Sequence, residues 1–333
     1  ARLDQWAPDF ETGEVPDLVE QLRTRVLPKR GVFALPEEIV VTVGAQHAFH
    51  LLAEALVDRH TRLGFEEPGY PHARNCFALR QPQLLRVAVD GAGAVIDNLP
   101  ALDYLFVTPS QHSPTTATLG LERRHALLVR AQAEGFVVIE DDYEAENLYD
   151  GTPMPALKSM DRSGHVIYIG SLSKSLSPAL RLGYIVASRH LAAELRLVRH
   201  AMLRHPSAFL QHAYALFLSL GHHESHARRV NQAMLQRVAL AAQGLRCHLS
   251  EFEFTPPLGG ASLWVRAPKG LDGSELALAA RTHGVLIEPG NVFFAQPPSP
   301  CPFFRLGLSS LAPGKIDAGL KALGDAADDL ARA

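Results

Sequence analysis

The sequence predicts an α/β protein, with a mixed, mainly parallel sheet carrying helices on both faces and a smaller C-terminal α+β domain behind it. Three observations support this. Short continuous apolar runs alternate with helix-period segments through the first two thirds of the chain. Such unbroken apolar strands belong to parallel sheets buried on both faces. Past about residue 189 the pattern turns to helix, then to short β runs and a closing helix. These divisions suggest an N-terminal segment over 1–35, a large domain over 36–205 and a small domain over 206–333.

The elements follow in order. Residues 18–26 read as a short helix ended by Pro28 and Gly31. IVVTV at 39–43 is a β-branched strand stopping at Gly44, and Ala48, Leu51, Leu52, Ala55 and Leu56 then recur at helical spacing. Further strands are expected at 84–89, 104–108, 136–140, 166–170 and 182–187, with an amphipathic helix over 121–135. Beyond 189, three helices broken near Pro206 and Gly221 precede SLWVRA (262–267), a helix over 274–283, VLIE (285–288), FFRLGLSS (303–310) and a helix opened by Pro313.

Composition narrows the function. The chain has 333 residues with a formal net charge of -3, which excludes the strong basic footprint of a nucleic-acid binder. No run approaches the roughly 20 apolar residues needed to cross a bilayer. The three cysteines are scattered and form no CxxC pair, which suits a reducing compartment, so a cytoplasmic protein is expected. The chain opens on Ala1, and residues upstream of it are expected.

Three segments carry candidate chemistry. In YIGSLSKSLSPALRLGY (168–184), an apolar strand runs into Ser171, Ser173, Lys174 and Arg181. Hydroxyls, free backbone N–H groups and a guanidinium beyond a strand end suit a phosphate, and a lysine there suits a covalent amine nucleophile. The segment reads equally as a serine-rich solvated loop. It is neither a Walker P-loop nor a GxGxxG turn. In FVVIEDDYEAENLYDG (136–151), carboxylates at 140–142 end a strand, where ligands of such sheets bind. One of them could hold a ring nitrogen protonated, ligate Mg²⁺ or face solvent. In TVGAQHAF (42–49), Gly44 and Ala45 bring a strand into a helix opened by Gln46, leaving that helix N-terminus open to an anion.

With EEPGYPHAR, VTPSQHSPTT, GGASLWV, VLIEPG and FFRLGLSS, these strings span residues 42–310 in one order. Together they resemble the aspartate aminotransferase superfamily of pyridoxal-phosphate proteins, fold type I. Within it they are most similar to the aminotransferase-like domain shared by MocR-type regulators and freestanding aminotransferases. The resemblance implies that Lys174 forms the Schiff base with pyridoxal 5'-phosphate and later shuttles the substrate proton. It implies that Asp141 pairs with the pyridine nitrogen, Tyr143 hydrogen-bonds the ring oxygen and Tyr70 stacks on the ring, while Ser113, a further cofactor-binding candidate, replaces the asparagine that aminotransferases place near that oxygen. Gly44, Ala45, Gln46, Ser171, Ser173 and Arg181 would hold the phosphate. Arg305 would grip the substrate carboxylate, a pairing suited to a bidentate fork. His72, Arg74 and His112 are further substrate-binding candidates.

The sequence also departs from the family pattern. Pro114-Thr115-Thr116 replaces the usual Pro-Thr-Gly turn, and His72 replaces an arginine of some MocR-type domains. A segment with a Tyr and a Gly that reaches the neighbouring subunit is missing between Pro16-Asp17 and Leu22-Arg23, and an omission there is expected. The resemblance implies an aminotransferase moving an amino group between an L-amino acid and a 2-oxo acid, working as a homodimer with shared active sites. The alternatives are the effector domain of a MocR-type regulator, or a racemase, lyase or cyclase on the same fold. No metal site is expected, since HHESH (222–226) lacks the HExxH arrangement.

Overall fold

The computed structural model describes residues 13–144, 148–149, 154–172 and 176–332. Its larger sheet has eight strands: β1 (Ile39–Thr42), β2 (Arg62–Glu67), β3 (Gln83–Asp90), β4 (Gly93–Ala94), β5 (Tyr104–Val107), β6 (Val137–Asp141), β7 (Val166–Ser171) and β8 (Gly183–Val186). Their spatial order is β1-β8-β7-β6-β5-β2-β3-β4. The run from β7 to β3 is parallel, and β8, β1 and β4 join antiparallel.

Successive side chains of a strand point to opposite faces, and the central strands bury both. Ile139, Ile167 and Ile185 pack with Phe49, Leu52 and Phe77 of the helices Gly44–Leu56 and Pro71–Ala78. Val107, Val138 and Val166 pack with Leu127, Leu128 and Ala131 of the helix Leu121–Glu134. The continuous apolar runs have this cause.

β2 was not expected from the sequence, although it lies inside the sheet between β5 and β3. RLGFEE reads as polar, yet Glu66 and Glu67 are both buried. Glu66 accepts from Thr108 N (2.9 Å) and Thr108 Oγ1 (2.8 Å). Glu67 accepts from Ala295 N and Gln296 N. A buried carboxylate so satisfied is tolerated in a core that would otherwise reject it.

The N-terminal segment is helical over Pro16–Gln21 and continues through a π turn (Leu22–Val26) and a 3-10 turn (Leu27–Arg30) to Gly31 at φ 70. Its Leu18, Leu22 and Leu27 pack with Tyr214, Ala215 and Leu218 of the helix Ala208–Ser219.

A second, antiparallel sheet comprises β9 (Glu253–Phe254), β10 (Ser262–Arg266), β11 (Glu288–Pro289) and β12 (Phe303–Gly307) in the order β11-β12-β10-β9. The helices His222–His248, Gly273–Thr282 and Pro313–Arg332 cover it through Leu245, Leu276, Leu320 and Leu323. The expected strand VLIE shrinks to the pair Glu288–Pro289, because Leu286 is 82% exposed and has no sheet to enter. Among the described residues no helix is long and apolar enough to cross a membrane.

Candidate active site

The strand alternation sorts the three consecutive carboxylates. Glu140 and Asp142 share one face of β6, and Asp141 takes the other. Glu140, fully buried, accepts from Leu157 N (2.8 Å) and Lys158 N (2.9 Å), so it anchors the next turn. Asp142 accepts from Arg30 Nε (2.7 Å), Arg30 Nη2 (3.4 Å) and Tyr168 OH (2.9 Å). Arg30 also donates to Ser110 Oγ at 2.8 Å. Burial opposes the charge of Arg30, but Asp142 and its hydrogen bond outweigh that and raise its pKa above the ordinary arginine value. Asp142 is thereby committed to a structural network. Asp141 lines a cavity of about 500 Å³ on the face that carries the helix Gly44–Leu56.

One end of that cavity is shaped for an anion. Gly44 opens the helix at φ 74, and Arg181 beside it adopts φ 50, ψ 49. A Cβ on Gly44 would lie 3.6 Å from the Arg181 guanidinium carbon. On Gly183 it would come within 3.0 Å of both the Gly44 carbonyl carbon and the Gly170 oxygen. Only residues without a side chain let these three segments meet so closely. The first N–H groups of the helix, Ser171 and Arg181 then converge on one space. His47, which sequence reasoning missed, supports this end by accepting from Val43 N through Nδ1 at 3.0 Å. Burial, followed by Arg199, pushes its pKa down to about 4, so its ring is neutral at neutral pH.

The walls are aromatic. Tyr70 is set by the Gly69–Phe293 backbone hydrogen bond (2.9 Å) and packs edge-on against Phe49, with centroids 6.2 Å apart. Burial and then Asp141 raise its pKa to about 12. Tyr143 shares a hydrogen bond with Ser113, and burial followed by Glu144 raises its pKa well above the ordinary tyrosine value. Both phenols therefore keep their protons. At the far end stand His72, Phe293, Glu288 and Arg305. Arg305 Nη1 donates to Glu288 Oε2 at 2.8 Å across the β11–β12 pair.

The cavity thus gathers Gly44, Ala45, Gln46, Tyr70, His72, Ser113, Asp141, Tyr143, Ser171, Arg181 and Arg305 from the residues the sequence singled out. Lys174 and Ser173 lie outside the described residues. Two candidates depart from expectation. Arg74 does not line the cavity, because its guanidinium donates to the carbonyls of Val292 (3.1 Å) and Phe293 (3.2 Å). His112 is 1% exposed, with Nε2 3.5 Å from Glu66 Oε2 and Nδ1 2.7 Å from Thr115 Oγ1. Burial pushes the His112 pKa down to about 3 and that of Glu66 up to about 8, so this pair is neutral and internal. Sequence reasoning also passed over Arg30 and Glu288, whose partners only the fold brings near. A larger cleft of about 840 Å³, between Thr115–Thr118 and Glu253–Leu258, has no comparable anion cradle in its lining.

The donor set fits pyridoxal phosphate: an anion cradle at one end, a carboxylate at the strand edge and tyrosines between. The fold is that of the fold-type-I pyridoxal-phosphate-dependent transferases. The chain belongs to the aminotransferase class I and II family, whose profile matches residues 13–323. It is 42% identical to the HTH-type transcriptional regulator TauR of Rhodobacter capsulatus over 92% of this chain and 63% of that protein. It is 32% identical to the probable rhizopine catabolism regulatory protein MocR of Rhizobium meliloti, over 96% of this chain and 65% of that one. It therefore spans a little under two thirds of the length of these curated relatives. Among solved structures it resembles LysN, the α-aminoadipate aminotransferase of Thermus thermophilus complexed with N-(5'-phosphopyridoxyl)-L-leucine. The TM-score is 0.90 at 28% identity, covering 98% of this chain and 85% of that chain. An archaeal alanine:glyoxylate aminotransferase matches with TM-score 0.92 at 25% identity, over 98% and 85% of the two chains.

Proposed function

We propose that this chain is a pyridoxal-phosphate-dependent aminotransferase unit that moves an amino group between an L-amino acid and a 2-oxo acid. The observation that carries the reading is the placement of Asp141, Tyr70, Tyr143, Arg181 and Arg305 around one cavity. Bound there, pyridoxal phosphate supplies an imine-forming aldehyde and an electron-accepting ring. Arg181, Ser171 and the first N–H groups of the helix Gly44–Leu56 hold its phosphate. Asp141 keeps a proton on the ring nitrogen by charge pairing. Tyr70 would stack on the ring, and Tyr143 with Ser113 would hydrogen-bond its oxygen. Arg305 would hold the substrate through its carboxylate and so fix its orientation in the cavity. Lys174 carries the cofactor and moves the proton at Cα, which needs an amine with a pKa near neutrality.

The assembly is a homodimer, in keeping with the symmetry commonest among soluble oligomers. The scattered free cysteines favour the cytoplasm. A second reading, supported by the identity to TauR, makes this unit the effector-binding part of a regulator that holds cofactor and amino acid without turnover.

A panel of amino donors mixed with the cofactor-loaded protein separates the two readings. Loss of the lysine-bound absorbance with release of a stoichiometric oxo acid supports the aminotransferase. A spectral shift on binding without oxo acid release supports the effector unit.

A further inference from the structure

Once Arg181 and Asp141 are assigned to the cofactor, the charged groups left in the cavity lining among the described residues are Arg305 and Glu288, with His72 as a further ionisable ring. The two are cross-strand partners on β12 and β11, so their side chains leave the small sheet on the same face. Arg305 Nη1 donates to Glu288 Oε2 at 2.8 Å, with side-chain exposures of 29% and 46% on the open wall. The substrate therefore meets a guanidinium that already holds a carboxylate.

We infer that Glu288 determines specificity, restricting the site to amino acids with one carboxylate and a neutral or cationic side chain. The inference rests on the proposed role of Arg305 as the carboxylate-binding residue. A guanidinium has five N–H donors in a planar fork. With Glu288 on Nη1, the remaining edge accommodates one substrate carboxylate. A second carboxylate meets Glu288 and finds no further cation in the described lining. Arg74, which could have served, is turned away onto the Val292 and Phe293 carbonyls. The cavity excludes part of the solvent, so repulsion between like charges is stronger there than in water. A distal cation finds in Glu288 an opposite charge instead. Discrimination of this kind works by placing an unfavourable charge against the wrong ligand.

The test uses three unreactive carboxylates that differ at the distal end: 4-methylvalerate (neutral), glutarate (anionic) and 4-(trimethylammonio)butyrate (cationic). Each is titrated by calorimetry into wild type, Glu288→Gln and Glu288→Asp, with and without pyridoxal phosphate. Wild type should bind the neutral and cationic ligands at least tenfold more tightly than glutarate. Glu288→Gln should remove most of that gap and weaken the cationic ligand at least threefold, while Glu288→Asp, which keeps the charge, should preserve the order. A wild-type preference for glutarate, an equal change for all three ligands in Glu288→Gln, or no binding of any of them would overturn the inference. Failure of the aminotransferase reading has a separate signature, no release of oxo acid from any amino donor. The calorimetric ratios stand apart from it because they need no turnover.

Discussion

Removing the Arg30 side chain tests how the carboxylate edge of β6 is held in place. In Arg30→Met the methionine fills similar space, but Asp142 loses its donors at 2.7 and 3.4 Å. The Asp142 side chain is fully buried and that of Arg30 is 5% exposed, so water cannot replace the guanidinium. Breaking a buried pair costs about 3–5 kcal/mol, because one charge stays behind uncompensated. Tyr168 still donates to Asp142 at 2.9 Å, which places the expected loss near the lower end, about 3 kcal/mol. That is a large share of the roughly 5–15 kcal/mol by which folded proteins are stable. Arg30→Met/Asp142→Asn removes both charges and should recover all but about 1 kcal/mol, leaving it about 2 kcal/mol more stable than Arg30→Met. Urea unfolding followed by circular dichroism measures both variants against the wild type. A loss below about 1 kcal/mol in the single mutant, or no recovery in the double mutant, would refute the reasoning.

Other expectations follow from the same geometry. Asp141→Asn should weaken pyridoxal phosphate binding at least tenfold, about 1.4 kcal/mol, as read by fluorescence titration. Asp142→Asn should instead lower the unfolding midpoint, and the reverse pattern would reassign the two carboxylates. Gly183→Ala drives a methyl to 3.0 Å from the backbone of Gly44 and Gly170. It should cost roughly 1–3 kcal/mol of stability and at least tenfold in cofactor affinity, and an unaltered affinity would remove Gly183 from the cradle. Stability should also depend on pH with definite signs. His112 and His47 are pushed down to about 3 and about 4, so the stability they allow is present above the ordinary histidine value and falls as pH drops below it. Glu66 is pushed up to about 8, so its contribution is present below the ordinary carboxylate range and is lost as pH rises through about 8. Glu66→Gln keeps an oxygen for Thr108 and should flatten the alkaline limb of a thermal-melt profile. An unchanged limb would contradict the assignment.

How far the sequence could be read depended on how local each cause was. β1 and β5 to β8 were visible because their apolar runs are continuous, a direct mark of burial on both faces, whereas β3 carries a similar run with only Val87 buried. Asp141 was distinguished from Asp142 by the resemblance alone, and strand alternation places the two side chains on opposite faces. β2 was missed because Glu66 and Glu67 disguise a buried strand, and their donors are Thr108, Ala295 and Gln296. Arg30 and Glu288 were missed for the same reason. Arg30 meets Asp142 across 112 positions, and Glu288 faces Arg305 only because β11 and β12 pair in that register. His112 and Arg74 attracted attention by lying near the motifs, whereas the fold turns one into the interior and the other onto carbonyls.

The central claim is a covalent one and is tested most directly by reductive trapping. The protein, loaded with pyridoxal phosphate, is treated with borohydride, digested and analysed by mass spectrometry. The account predicts a single pyridoxyl adduct on the peptide containing Lys174, with the yellow colour bleached in step. An adduct on another lysine, or none on a protein that retains the cofactor, would contradict it.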